Sequence, residues 1–295
     1  MTTTRQSSTP TAGPARTLAP GRPVPGGGPL WALRDTGVMA GRNLRRLMRQ
    51  PEQIVFNLVS PIMFVLLFRY VFGGAIGGLE GLNYVNYLVP GIAVQTVLFS
   101  AGVTGFALAD DMQKGFIKRL RSLPMARSAV FGGRVASDTV NNALGLAILL
   151  ATGFAVGFRP ASALGLVLAG QLLLLFALAV SLGYALIGLT VRSPEAVNAA
   201  TFPIIFPLTF ASSAFVPVQT MPEWLQGFAT HQPVSVVINA SRSLILGDSA
   251  TAEQRQLLLG GASTSSLVLQ SLAWTLGIGL LFGVLCTRRY RGLSR

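Results

Sequence analysis

This 295-residue chain has little charge: Asp, Glu, Lys and Arg make up 11% of it, against about a quarter of an ordinary soluble domain. Apolar residues make up 51%, and the mean hydropathy is +0.57. A packed core cannot absorb so large a deficit of polar groups, so lipid must cover much of the surface. A single cysteine, Cys286, excludes an internal disulfide and fits no metal or redox pattern. A single histidine, His231, excludes a histidine zinc site and a Ser-His-Asp triad. No G-x-x-x-x-G-K-[ST] loop occurs. "GGAIGG" at Gly73–Gly78 has glycines but neither the lysine nor a following soluble helix, and reads as an extracellular turn or a small-residue packing site. No Asp, Glu, His or Lys falls near the middle of an apolar run, which argues against a proton- or sodium-driven carrier. The chain is not expected to be an enzyme, and any driving energy has to come from another polypeptide.

What is present is hydrocarbon, in six runs. A window of about 19 residues predicts spans at Ile54–Gly73, Val85–Ala109, Asp138–Phe158, Ala163–Val191, Ala196–Val216 and Leu267–Thr287. The expected fold class is an all-α polytopic membrane protein with six transmembrane helices. The fourth run exceeds the roughly 20 residues that a crossing needs, so it tilts or projects into the cytoplasm. Pro203 and Pro207 interrupt the fifth, which opens on Ser193-Pro194-Glu195, an N-cap with proline at the first helical position.

Positive charge sets the orientation: 19 of the 23 cations fall on one side, and only Arg69, Arg159, Arg242 and Arg255 on the other. Both termini are therefore expected in the cytoplasm. The net charge of +13 is read as topology-setting, with no nucleic-acid partner, because the arginines flank apolar runs instead of forming a stripe on a folded domain. Arginine outnumbers lysine 21 to 2 and Ala and Gly are abundant, which suggests a GC-rich genome and a bacterial inner membrane.

Residues 1–30 are rich in Thr, Ser, Pro and Gly, lack the apolar stretch of a signal peptide, and are expected to form a disordered cytoplasmic tail ahead of a membrane domain at 31–295. "WALRDTGVMAGRNLRRLMRQ" then gathers Arg34, Arg42, Arg45, Arg46 and Arg49 on one helical side, with Leu33, Ala40, Leu44, Leu47 and Met48 opposite. Trp31 and Val38 break the pattern. This predicts an interfacial helix with arginine against anionic headgroups.

One connection stands apart. In "QKGFIKRLRSLPMAR", residues 113–127, Phe116, Ile117, Leu120 and Leu123 share a helical face while Lys114, Lys118 and Arg121 lie opposite, and Pro124 stops the helix. Such a ridge suits a groove on a partner protein. It equally suits lipid headgroups, and the pattern alone leaves both readings open.

"DDMQKGFIKRLRSLPMARSAVFGGRVASD" resembles the corresponding loop of type-2 ABC transporter permeases, in the daunorubicin/doxorubicin-resistance branch. "FPIIFPLTFASSAFVPVQTMPEWLQGFATHQPVSVVINASRSLILG" is similar to the same branch, with Pro217, Met221, Pro222, Trp224 and Leu225 in the turn after a Pro-rich fifth helix. The resemblance runs from Trp31 to Arg295. It implies that Gly115–Leu123 is the coupling helix, with Phe116, Ile117, Lys118, Leu120, Arg121 and Leu123 meeting a separate nucleotide-binding ATPase subunit that holds ATP and Mg. It also implies short outer re-entrant helices between spans five and six, and export of a hydrophobic drug or antibiotic by two copies of the chain. Members often carry an acidic residue where this chain has Lys118, which argues against pairing with other ATPases.

The dimer seam is expected from the first and fifth spans, with their polar and kinking residues Asn57, Ser60, Pro61, Asn198, Thr201, Pro203, Pro207, Ser212 and Ser213. Phe56, Phe64, Phe202, Phe206 and Phe210 are candidates for an apolar conduit. Competing readings are an exporter of a lipid-linked glycan, disfavoured by the few Tyr and Trp in the spans, a non-transporting membrane scaffold or sensor, and an ion-coupled carrier.

Overall fold

The computed structural model describes residues 51–72, 84–115, 129–191, 193–247 and 259–292 without a break, and single positions between 34 and 45 and at 251, 255 and 256. Every regular element among the described residues is helical. Helix α1 (Pro51–Leu67) runs into a π-helical turn, Phe68–Phe72. Helices α2 (Tyr84–Ser100) and α3 (Gly102–Gln113) are two halves of one 30-residue apolar rod, broken at Ala101. Then come α4 (Ala129–Ala155), α5 (Ala163–Gly188) and α6 (Pro194–Phe210). A 3₁₀ turn at Val218–Thr220 leads to the short helices α7 (Glu223–His231) and α8 (Pro233–Leu246), and α9 (Thr264–Gly292) closes the order.

Among the described residues, four stretches are long and apolar enough to cross a bilayer: Tyr84–Gln113, Gly132–Ala155, Ala163–Gly188 and Thr264–Arg289. They coincide with the second, third, fourth and sixth expected spans. Helices α1 and α6 are 17 residues each, shorter than the roughly 20 that a straight crossing needs. The Ser193 hydroxyl accepts from Ala196 N–H at 3.3 Å, so α6 begins as its cap sequence predicts. It ends early, at Phe210 and not Val216. Pro203 and Pro207 withhold two ladder donors, and Ser212 then donates to the Thr209 carbonyl at 2.6 Å while accepting from Ala214 N–H at 3.2 Å. That exchange converts the next residues into a buried turn. Helix α4 begins well before the expected Asp138, which therefore lies inside it.

Helix α5 is the hub, packing against α3, α4, α8 and α9. Its approach to α3 depends on two glycines. A Cβ on Gly188 would collide with the Gly105 carbonyl, and one on Gly105 would come within 2.6 Å of the Tyr184 carbonyl. Small residues at such a crossing let backbones meet where apolar side chains gain nothing by leaving lipid. The main core gathers Leu88, Ile92, Val97, Leu149, Phe176 and Val237 from α2, α4, α5 and α8. Helix α9 is outermost: only 17% of its apolar window is buried, and Leu269, Leu276, Leu280 and Leu281 face outward. Water cannot be the medium for that surface at this scale.

The described positions from 34 to 45 are helical, with Arg34 and Arg45 exposed, and Thr36 packs over Gly132 of α4. Val38, the residue that breaks the amphipathic pattern, is exposed as well. The expected tail at 1–30 and the turn at Gly73–Gly78 lie outside the described residues.

Candidate functional site

Three structures follow from this packing, and the first is aromatic. Phe202, Phe206 and Phe210 recur every four residues along α6 and so share one face. Their ring centroids stand 5.1 and 4.4 Å apart, and all three are at least 40% exposed. The series continues from Phe210 to Phe215 at 5.4 Å, to Phe68 at 4.4 Å and to Phe64 at 6.2 Å. Of the sequence-predicted rings, Phe64, Phe202, Phe206 and Phe210 thus join with Phe68 and Phe215 into one chain of six, in which Phe215 in the turn after α6 is the bridge; the side chain of Phe56 lies outside the described residues. Ser60 is exposed on α1; Asn57 belongs to the same helix, with its side chain outside the described residues. Asn198 is exposed, whereas Thr201, Ser212 and Ser213 are buried and bond to backbone or to each other's neighbours.

The second structure is a buried clamp around Arg242 of α8, a residue that charge counting treats only as an outer-side cation. It is fully buried. Its guanidinium donates to the Tyr87 carbonyl at 3.0 and 3.3 Å, to the Ser213 carbonyl at 3.0 Å and to Asn239 Oδ1 at 3.0 Å, and lies 3.7 Å above the Tyr87 ring. The acceptors are neutral dipoles and a π face, which together replace the solvation of the charge. Around it, Tyr87 donates its hydroxyl to Ser213 O at 2.8 Å, Ser213 donates to Asn239 Oδ1 at 2.9 Å, and Gln232 donates to Ala211 O at 2.6 Å. The turn after α6 is pinned to α2 and α8 at once. Gly91 allows the approach, since a Cβ there would strike the Ala214 carbonyl. The available sequence signal is a lone cation in "PVSVVINASRSLIL" with Asn239 and Ser235 at positions three and seven before it, on the same face.

The third lies at the other end, where α3 and α4 flank the loop of residues 116–128. Asp138 accepts from Thr104 and, at 3.2 Å, from Arg134, whose Nη2 also donates to the Val103 carbonyl at 3.3 Å. One turn further along, Ser100 donates to Asn142. The i, i+4 spacing of Arg134 and Asp138 announces this pair in sequence; Thr104 and the Ser100–Asn142 contact are visible only in three dimensions. Helix α3 stops at Gln113, and Gly115 adopts φ +66°, a left-handed cap that suits glycine. Phe116, Ile117, Lys118, Leu120, Arg121 and Leu123, the expected coupling residues, lie outside the described residues.

This combination defines a polytopic helical membrane protein with an exposed aromatic face, a pinned turn at one end and a polar seam at the other. Residues 34–246 match the family described as ABC-2 type transporter, and the chain belongs to that family. It is 32% identical over 250 residues to a daunorubicin resistance ABC transporter permease protein of Streptomyces coeruleorubidus, covering 83% of this chain and 86% of the relative. A doxorubicin resistance ABC transporter permease protein of Mycobacterium tuberculosis is 30% identical over 203 residues, covering 68% of this chain and 70% of the relative. A probable doxorubicin resistance permease of the same organism is 25% identical over 274 residues, covering 89% and 90%.

Proposed function

We propose that this chain is the permease subunit of an ATP-driven exporter that moves a hydrophobic small molecule, of the drug or antibiotic kind, out of a bacterial cell. The observation that carries the reading is its similarity, over 83% of its length, to a permease named for daunorubicin resistance. The chain's own sequence holds no nucleotide-binding loop, so a separate subunit binds ATP and Mg and hydrolyses the nucleotide.

In this reading the six crossings are α1 with its π turn, α2–α3, α4, α5, α6 with the turn after it, and α9. Helices α7 and α8 dip in from the outer side, and both termini are cytoplasmic in the plasma membrane. Two copies meet along α1 and α6, where the exposed rings of Phe202, Phe206 and Phe210 line an apolar route. Residues 115–123 seat in the ATPase. The seam of Thr104, Arg134 and Asp138 ties α3 to α4, so displacement of the loop between them moves both helices together. At the opposite end the Arg242 clamp holds the turn after α6 against α2, so the outer mouth opens or shuts as a unit. Nucleotide-driven closure of the ATPases then biases a two-state rearrangement of packed helices.

The test is co-purification from native membranes in mild detergent, followed by an ATP hydrolysis assay on the complex. A co-eluting nucleotide-binding subunit, with transport and stimulated hydrolysis abolished by Leu120→Glu while membrane insertion persists, is the expected result. Export unaffected by that substitution sinks the coupling assignment. A chain that elutes alone, with no ATPase found by crosslinking in intact membranes, overturns the powered-exporter reading in favour of a scaffold or an ion-coupled carrier.

A further inference from the structure

Helix α9 packs against α5 and α8 along one side and turns the rest of its surface outward. On that outer side Gln270, Trp274, Gly277, Leu281 and Val284 follow one another at intervals of four, three, four and three, and all five are exposed. Alternation of four and three is the spacing of the contact stripe in a left-handed pair of helices. An apolar stripe alone would mean nothing here, because lipid covers leucine as well as protein does. Three of the five residues are of another kind. The Gln270 carboxamide makes no hydrogen bond with any described residue, and the Trp274 indole N–H has no acceptor among them. The two stand about 9 and 15 Å below the first residue of the helix, at 1.5 Å per residue, and Leu267, Val268 and Leu269 already precede Gln270. Unpaired polar groups at such depth are costly, and acyl chains offer them no partner. Gly277 is the third: a Cβ there would meet nothing within 4 Å, whereas Gly279 and Gly283 of the same helix face Ala179 and Leu182 of α5 at 3.5 and 3.8 Å. The chain's own packing therefore has no use for a glycine at 277.

We propose that α9 pairs with the α9 of a second copy of this chain along the stripe from Gln270 to Val284. Copies in one membrane share orientation and depth, so a two-fold axis along the bilayer normal sets each residue opposite its own equivalent. A carboxamide is complementary to itself: the N–H of each Gln270 donates to the C=O of the other. The bare backbone at Gly277 lets the two helices approach closely, which is what holds membrane helices together where apolar burial does not. Leu281 and Val284 pack below it, and the charge of Arg288, next in the series, ends the contact. The stripe lies on a different helix from the α1–α6 seam of the proposed exporter and does not depend on that reading. With both contacts in place, exporter dimers link side by side in the membrane.

The test is oxidative crosslinking of the full chain in native membranes through single introduced cysteines, with Cys286 buried and out of reach. Leu281→Cys, on the stripe, is expected to give disulfide-linked pairs several-fold faster than Leu280→Cys, which is as exposed but points about 100° away around the helix. Gly277→Ile adds bulk only where the chain itself leaves open space, so it is expected to spare the fold and abolish the Leu281→Cys pairs. Gln270→Leu is expected to lower pairing about threefold, the effect of one average hydrogen-bonded contact between membrane helices. Equal crosslinking at 280 and 281, or pairing undisturbed by Gly277→Ile, overturns the proposal. A Leu281→Cys product whose mass is not that of two copies also overturns it, and places a different membrane protein on this face. Phe206→Cys reports on the α6 seam in the same assay, and its failure to crosslink while Leu281→Cys pairs persist overturns only the proposed exporter dimer.

Discussion

Helices α6 and α8 stand 22 residues apart in chain order and have opposite environments. Helix α6 has 13 apolar residues among its 17, yet only Pro194, Val197, Thr201 and Thr209 are buried. Helix α8 carries Ser235, Asn239, Ser241, Arg242 and Ser243, and 11 of its 14 residues are buried. In water the assignments would be reversed. In lipid, an apolar face gains nothing by leaving its surroundings, whereas every polar group has to find a partner inside the protein. The contrast is thus a statement about the solvent, and it predicts that substitutions in α8 act on stability and those in α6 on function.

Arg242→Met gives the largest effect. It takes the guanidinium donors away from the Tyr87 and Ser213 carbonyls and from Asn239 Oδ1, of which the last two keep the Tyr87 and Ser213 hydroxyls, and it removes a contact to the Tyr87 ring. A stability loss on the order of 3 kcal/mol is expected, read as a lowered midpoint of thermal unfolding in detergent. Arg242→Lys recovers only part of it, because an ammonium cannot serve all three acceptors in the geometry of a planar fork. Asn239→Leu comes next, with a loss of about 1–2 kcal/mol, since its Oδ1 accepts from both Arg242 and Ser213. If that variant unfolds no earlier than the parent, the polar interior of α8 is not what holds it in place. Phe206→Ala is the smallest in stability, under about 0.5 kcal/mol, because the ring is exposed. The same substitution is expected to reduce drug export and inter-copy crosslinking through α6; unchanged export alongside a large stability loss breaks the contrast between the two helices.

Much of the architecture is legible in single residues. Ser193 and Pro194 mark the start of α6, and the structure has the cap where they put it. The spacing of Arg134 and Asp138 announces their contact, and the recurrence of Phe202, Phe206 and Phe210 announces a shared face. What local pattern does not carry is the role of the turn after α6. Its serines read as the end of a crossing, whereas they cap the helix early and become partners for α2 and α8. The bridge through Phe215 to Phe68 likewise depends on neighbours far along the chain.

The sequence by itself determined that this protein lives in lipid, that its elements are helices and where several of them start. Those properties depend on composition within a turn or a span, on capping hydroxyls and on the missing N–H of proline. The tertiary structure alone decided which polar groups are spent on structure and which remain available. Arg242 meets the carbonyl of Tyr87 across 155 positions of sequence, and no local rule fixes that encounter. It arises because, in a medium that offers no hydrogen bonds, each buried donor is drawn to whichever acceptor the packing of helices brings within reach.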